Sequence, residues 1–412
     1  MNSPARITSS LDGSGRVRLS LESAAGRSEA QFAGRDIQLV PSSEAMITAA
    51  FLPAMILGTD LVADGYASPK YLKALVRLGD IYHAWHPGKL QKIAVRNVEP
   101  ASTPHQPQAR VGLFFTAGLD SFYTLLKHQD EITDLIYVHG FGGRPESAGL
   151  EPRKQDMVRR AADGLGKNVV EIDTDVRTFF EGHGLHWAHL GAGPALATIG
   201  HLMAGQFQRI YVAATHPYAG LRLWSSSPLL DPLWSTETLE FVHDGCEARR
   251  TEKARLVAES DVAMRTLRVC DRASPDAPNC GRCEKCLRTM MHLLAVGALE
   301  RCTTFAEGPE AHRVAAIRFQ NIGFERYHTD NLNALRERGT HPTLVRTLHR
   351  NLIGTRRRMI LRELLDVSWP GLLPTTRRIR RWLFGRANAM PQGAVRGHTI
   401  EAEQASMARW LE

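Results

Sequence analysis

An apolar run that breaks into a loop of small residues is the feature that most restricts the fold of this chain. The run covers residues 111–115, and an apolar, helix-like pattern resumes at residues 122–126. Between them the loop reads Thr116, Ala117, Gly118, Leu119, Asp120, Ser121. A strand that passes through such a loop into a helix points backbone N–H groups and the positive end of the helix dipole at one place. The sequence therefore predicts a phosphate-binding loop at residues 116–121.

Further strand-like runs follow the loop and alternate with helical patterns. They lie at Leu135–Val138, Val169–Ile172 and Ile210–Ala214, and the helical patterns cover residues 157–165 and 195–205. This alternation predicts an α/β fold with a doubly wound, mostly parallel sheet that helices cover on both faces. Ligands of such sheets lie beyond the carboxyl ends of the strands. The side chains that follow the runs are therefore further candidates for a ligand site: His139, Asp173, Asp175, His216.

Four cysteines form the second strong pattern. Their spacing is C-x9-C-x2-C-x2-C, and the residues are Cys270, Cys280, Cys283, Cys286. Four thiolates satisfy the tetrahedral preference of a structural Zn²⁺, and turns of the CxxC type bring neighbouring sulfurs to one ion. The sequence predicts a zinc knuckle over residues 270–286, with an iron–sulfur cluster or redox chemistry as alternatives. The remaining two thiols, Cys246 and Cys302, are interpreted as buried side chains rather than nucleophiles.

The loop resembles SGGxDS, the pyrophosphate (PP) loop of the ATP pyrophosphatase superfamily, whose members cleave ATP to AMP and pyrophosphate. Thr116 and Ala117 stand in place of the first Ser and the first Gly, whereas Gly118, Asp120 and Ser121 match the pattern. Together with the cysteine knuckle, the chain is similar to the 7-cyano-7-deazaguanine synthase group of that superfamily. This resemblance covers roughly residues 110–300.

The resemblance implies an ATP-dependent ligase or amidating enzyme that adenylates a carboxylate or carbonyl group, with ATP, Mg²⁺ and Zn²⁺ as cofactors. Backbone N–H groups of residues 117–121, with the hydroxyls of Thr116 and Ser121, would hold the pyrophosphate. Asp120 would orient the loop or hold Mg²⁺ through water, and helix capping is its alternative role. The other candidates for nucleotide contact are His139, His216, Arg250 and Lys253. For the two basic residues the alternative is an exposed helix surface.

Three histidines recur at intervals of three residues, namely His183, His186 and His189. A second metal site, contact with substrate, and ordinary packing all remain open for them.

Domain boundaries follow from composition and from the extent of the resemblance. Residues 1–105 are predicted to form a small α+β domain with strands near 16–21 and 37–40, a helix at 69–85 and a proline-rich linker at 100–108. Residues 106–305 form the predicted PP-loop domain, and residues 306–412 a helical, arginine-rich extension with little regular structure beyond residue 388.

The beginning of the chain has no apolar signal segment, and the longest apolar stretch, 45–58, is too short to span a bilayer. We therefore expect a cytoplasmic protein.

Positive charge is concentrated near the end of the chain. The segment Arg346–Arg386 contains eleven arginines and two acids, whereas the formal charge of all 412 residues is only +8. This segment could contact nucleic acid, lie on an anionic membrane as an interfacial helix, or be a solvated helix face. The protein could also form a homo-oligomer.

The alternatives to the ligase are a nucleic-acid-modifying enzyme of the same fold, transferring sulfur or a deazaguanine, and a non-catalytic nucleotide-binding module.

Overall fold

The computed structural model describes residues 3–102, 109–141, 151–270, 277–317 and 322–368. In these ranges the chain is an α/β protein with one ten-stranded, mostly parallel sheet, which confirms the expected α/β class and the mostly parallel sheet. No helix in this described part is long and apolar enough to cross a lipid bilayer. The strands are β1 (Ala5–Leu11), β2 (Val17–Ser23), β3 (Gly26–Gly34), β4 (Leu61–Ala67), β5 (Val95–Pro100), β6 (Arg110–Phe114), β7 (Asp134–His139), β8 (Asn168–Thr174), β9 (Phe207–Ala213) and β10 (Glu240–Asp244).

In the parallel half of the sheet, the side on which the chain adds new strands changes once. The order is β10-β9-β6-β7-β8-β3-β2-β1-β4-β5, and the first five of these strands are parallel to one another. The chain starts this half at β6, adds β7 and β8 on one side, and then adds β9 and β10 on the other. In doubly wound sheets such a reversal creates a crevice outside the carboxyl ends of the strands, and ligands bind there. Here that crevice lies between the ends of β6 and β9.

Apolar residues explain why the central strands form where the sequence predicts them. Four of the five residues of β6 and five of the six of β7 are buried, as expected for parallel strands covered on both faces. The four predicted runs fall on β6, β7, β8 and β9, and are confirmed as strands. The helices are α1 (Ser43–Leu57), α2 (Pro69–Trp85), α3 (Leu119–Lys127), α4 (Glu151–Leu165), α5 (Val176–Gly182), α6 (Ala192–Leu202), α7 (Arg250–Val257), α8 (Asp261–Thr266), α9 (Glu284–Val296), α10 (Ala311–Ala315), α11 (Ile322–Arg338) and α12 (Pro342–Ser368).

The first hundred residues extend the same sheet. Strands β1, β2 and β3 form an antiparallel meander, and β3 pairs with β8 in antiparallel register, Phe32 opposite Thr174. The predicted helix at 69–85 is present as α2. The predicted strand at 37–40 is wrong, because the Val40 N–H binds the Leu202 carbonyl instead of a neighbouring strand.

The chain divides into two compact units. One unit comprises 1–280 and 296–306 and contains the whole sheet. The second comprises 281–295 and 307–412 and, where described, is helical. In it the Arg356 guanidinium pairs with the Glu325 carboxylate. Residues 103–108 of the predicted linker, the arginines from 377 to 386 and the end beyond residue 388 lie outside the described residues.

Candidate functional site

The loop after β6 crosses the carboxyl end of the central strand and enters α3. Phe115 still donates its N–H to the Ile136 carbonyl of β7 at 2.9 Å, and Gly118 is the N-cap of α3. A methyl group built on Gly118 would lie 3.3 Å from Thr116 Oγ1 and 3.8 Å from Ser121 Oγ. The two hydroxyls therefore flank the peptide units at the start of the helix, where unpaired N–H groups and the helix dipole favour an anion.

Ala117 has a backbone conformation that is unusual for its side chain. Its φ of +55° lies in the left-handed region, which alanine adopts at a cost of about 1 kcal/mol. The residue is fully buried, and its carbonyl accepts the Arg268 N–H at 2.8 Å. The methyl group, which replaces a hydrogen in the SGGxDS pattern, thus packs into the protein instead of projecting into open space.

Two basic side chains converge on the first turn of α3. Arg250 Nη2 lies 2.6 Å from Asp120 Oδ2, and Lys253 Nζ lies 3.3 Å from Asp120 Oδ1. The Lys253 side chain is only 1% exposed, and its ammonium also donates to the Ala214 carbonyl at the end of β9, at 2.6 Å. Asp120 is therefore not the N-cap of α3. It lies inside the first turn and connects the loop to α7.

His216 belongs to the same cluster. Burial and the positive charges of Arg222 and Arg250 together lower its pKa to about 4, against the opposing effect of Asp120. Its ring meets the Trp224 ring edge-on at 5.4 Å. His216 is consequently neutral at pH 7 and offers the crevice an uncharged imidazole beside two cations.

His139 lies in a different network. It ends β7, and its Nε2 is 2.8 Å from Glu171, a carboxylate that also accepts from Gln155 and Arg159. Burial raises the pKa of Glu171, but these hydrogen bonds outweigh that effect and lower it. A cavity of about 330 Å³ adjoins His139. The structure thus brings the loop together with Arg250, Lys253 and His216. It places His139 one strand away, beside a cavity that the candidates Asp173 and Asp175 also line.

The four predicted cysteine ligands lie together. The sulfurs of Cys270, Cys280, Cys283 and Cys286 all fall within 4.8 Å of one another, and the last two are 3.4 Å apart. Four sulfurs around a zinc ion with bonds of 2.3 Å would be separated by roughly 3.8 Å, so the set fits a tetrahedral metal such as zinc. Among the described residues, no other group of three or more histidine, cysteine or acidic side chains has its ligand atoms close enough together to hold one metal ion. The metal interpretation of the three histidines is therefore unsupported, and His183 binds Ser28 at 2.8 Å instead.

Two residues around the 116–121 loop were not predicted from the sequence: one joins the loop to the cysteine cluster, and the other lies beside Lys253. Arg268 donates its backbone N–H to Ala117 and its guanidinium to the Cys270 carbonyl at 2.7 Å. The segment that leads into the knuckle therefore supports the loop directly. Tyr123 places its ring 5.5 Å from the Lys253 ammonium. The only sequence signal for Arg268 is its position two residues before the first cysteine, and Tyr123 has none.

Comparison with known proteins adds no further constraint on this site. No family model, no curated protein and no solved structure matches the chain.

Proposed function

We propose that this protein binds ATP in the crevice between β6 and β9 and uses it, with release of AMP and pyrophosphate, to activate a carboxylate or carbonyl substrate. The observation that supports this proposal most strongly is the position of the 116–121 loop. It starts a helix at the point where the strand order reverses, it carries two hydroxyls of its own, and two cations lie against it. Phosphate groups need that combination of N–H donors, hydroxyls and positive charge.

The residues of the loop would act mainly on the departing pyrophosphate. The amides of residues 117–121 and the hydroxyls of Thr116 and Ser121 are held by the strand and the helix before any ligand arrives. Donors fixed in this way stabilise charge that develops on a leaving group, because they need no rearrangement during the reaction. Arg250 and Lys253 supply positive charge at the same place.

Asp120 connects the nucleotide to its metal. A polyphosphate is normally bound with Mg²⁺, which takes carboxylate and water ligands. When the phosphates attract Arg250 and Lys253, the Asp120 carboxylate becomes available to a hydrated Mg²⁺. Bound Mg²⁺ would supply charge neutralisation on the phosphates, and Asp120 would hold it in place.

The products of ATP turnover test this proposal. Purified protein is incubated with α-labelled ATP, Mg²⁺ and a panel of carboxylic acids with ammonia, and the nucleotide products are separated. Formation of AMP and pyrophosphate supports the proposal, whereas ADP as the product contradicts it. Binding of ATP with no turnover on any acid would favour the non-catalytic module.

The variant Asp120→Asn keeps the size of the side chain and removes its charge. We expect AMP formation to fall about a thousandfold, because the carboxylate no longer orients Mg²⁺ and the two cations. Asp130→Asn is the matched control, since Asp130 is exposed beyond the end of α3 and should leave the rate unchanged. Full activity of Asp120→Asn would contradict the assigned position of the phosphates.

One observation favours the sulfur-transfer alternative. His243 Nδ1 lies 2.7 Å from Asp231. Burial lowers the pKa of His243, but Asp231 and the adjacent Cys246 thiol raise it to about 9. An imidazolium beside a sulfur is the usual partner of a cysteine nucleophile. Cys302 is the control, because burial raises the pKa of its thiol. Loss of activity in Cys246→Ala, with Cys302→Ala active, would favour sulfur transfer over simple ligation.

A further inference from the structure

A second cavity lies at the opposite end of the parallel strands. Its volume is about 420 Å³, which is within the range of small-molecule sites. Residues 204–205 and 236–238, which precede β9 and β10, form one side, and the amino ends of α1 and α2 contribute Glu44, Ser68 and Pro69. The seven-residue strand β9 separates this end from the 116–121 loop by about 20 Å. A small ligand here could not reach the crevice between β6 and β9.

His201 lines this cavity and has no polar partner there. Its side chain belongs to α6, the residue is 1% exposed, and neither ring nitrogen has a hydrogen-bond partner among the described residues. Its neighbours are aromatic: Tyr71 and Phe241 meet the ring edge-on at 5.3 and 5.4 Å. Burial lowers the pKa of His201 to about 3, so the ring is neutral and carries one N–H donor and one acceptor. An unsatisfied buried polar group costs about 1–3 kcal/mol, and a ligand that pairs with it would recover that energy.

Two carboxylates line the same cavity without a basic partner. Glu44 Oε1 accepts the Ser68 N–H and Glu237 Oε1 accepts the Lys70 N–H, each at 2.8 Å. Within the described residues, neither carboxylate lies within ion-pair distance of a lysine, arginine or histidine side chain. The Lys70 ammonium binds the Thr236 carbonyl instead, at 3.0 Å. Burial raises the pKa of Glu237, but hydrogen bonds from the Ser68 hydroxyl and the Lys70 N–H, together with the more distant positive charge of Lys70, outweigh that effect and lower it. Glu237 is therefore ionised at neutral pH.

We propose that this cavity binds a small organic cation with a flat apolar body and several N–H donors, such as an arylamidine or an aromatic amine. The charge of the ligand would meet Glu44 and Glu237, whose free oxygen lone pairs can accept further N–H groups. Pro69, Ala101 and Ala204 supply apolar walls for its body. The buried imidazole would pair with one N–H donor of the ligand. This site is independent of the proposed ATP site and stands whether or not ATP binds.

Benzamidine and benzamide test the proposal as probes, because they share size and shape but differ in charge. Calorimetric titration into the full-length protein at pH 7.5 should show benzamidine binding at least about tenfold more tightly than benzamide, which corresponds to 1.4 kcal/mol from charge pairing. Equal affinities, or no benzamidine binding at millimolar concentration, would overturn the proposal.

Variants locate the binding. Glu237→Gln and His201→Phe should each weaken benzamidine about tenfold, and Glu259→Gln, which changes an exposed glutamate of the same charge, should not. His201→Phe also removes the unsatisfied nitrogens, so its ligand-free melting temperature should be equal to or above that of the parent protein. If His201→Phe fails to fold, the pair Glu237→Gln and Glu259→Gln still decides. Unchanged benzamidine affinity in Glu237→Gln would place the binding elsewhere and overturn the assignment.

Discussion

The carboxyl and amino ends of the parallel strands differ in whether their acidic side chains already form ion pairs. At the carboxyl ends, Asp120 is already paired with Arg250 and Lys253, so a ligand has to exchange with an existing ion pair. At the amino ends, Glu44 and Glu237 accept backbone N–H groups and form no ion pair among the described residues, although the positive charge of Lys70 acts on Glu237 from a greater distance. A cationic ligand could therefore pair with them without displacing an existing ion pair. A well-paired cluster can thus be the better candidate for catalysis, since its charges can be redistributed when a substrate binds. An unpaired cluster instead points to simple binding.

Removal of a metal held by the four cysteines should distinguish the two ends most strongly. The Arg268 N–H holds the Ala117 carbonyl, and Cys270 follows two residues later in the metal cluster. Structural zinc contributes on the order of 10 kcal/mol to local folding. We therefore expect chelation to weaken ATP binding by more than about tenfold and to leave benzamidine affinity within about twofold. Titration of both ligands before and after chelation measures this.

Reconstitution is the control for that experiment. Added Zn²⁺ should restore ATP binding, and the variant Cys302→Ser, which changes a buried cysteine outside the cluster, should keep its metal and both affinities. Undiminished ATP binding in metal-free protein would show that the knuckle does not support the loop. Loss of both affinities would show that the two ends do not respond independently.

The sequence could predict the parts of this molecule that depend on local pattern. The apolar runs of β6 to β9, the helix at 69–85 and the four clustered cysteines are confirmed because each follows from periodicity or spacing. Contacts between distant segments could not be predicted in this way. Three such contacts are the pairing of Phe32 in β3 with Thr174 in β8, 142 positions apart, the contact of Ala117 with Arg268, 151 positions apart, and the cavity that joins Glu44 and His201, 157 positions apart. No local pattern encodes them. The role of the 116–121 loop in ATP chemistry stays a prediction.

Acid titration should distinguish the two buried histidines. Each has a folded-state pKa below the ordinary value of 6.5, about 4 for His216 and about 3 for His201. Between 6.5 and the folded pKa the unfolded chain takes up a proton that the native protein excludes. The free energy of unfolding should therefore be unaffected above pH 6.5 and decrease as the pH falls. For His216 the loss is at most about 3 kcal/mol and is complete near pH 4.

Urea unfolding at a series of pH values measures these losses. His216→Gln should flatten the curve between pH 6.5 and 4, whereas His201→Phe should flatten a window that extends to about pH 3. The exposed His312, changed to Gln, is the control and should leave the curve unchanged. If neither variant alters the slope, the two rings are not neutral and buried in the native protein.

The smallest effect is expected at Ala117. Glycine would relieve the left-handed strain of about 1 kcal/mol but would lose a similar amount through the greater freedom of the unfolded chain. Ala117→Gly should therefore change the free energy of unfolding by less than about 1 kcal/mol. ATP affinity should stay within about threefold, because the methyl group is buried away from the crevice. Gly118→Ala is the contrast, since its methyl would lie 3.3 Å from Thr116 Oγ1 and should weaken ATP binding more. A large gain in affinity for Ala117→Gly would mean that the methyl obstructs the phosphates, and would favour the non-catalytic module over the ligase.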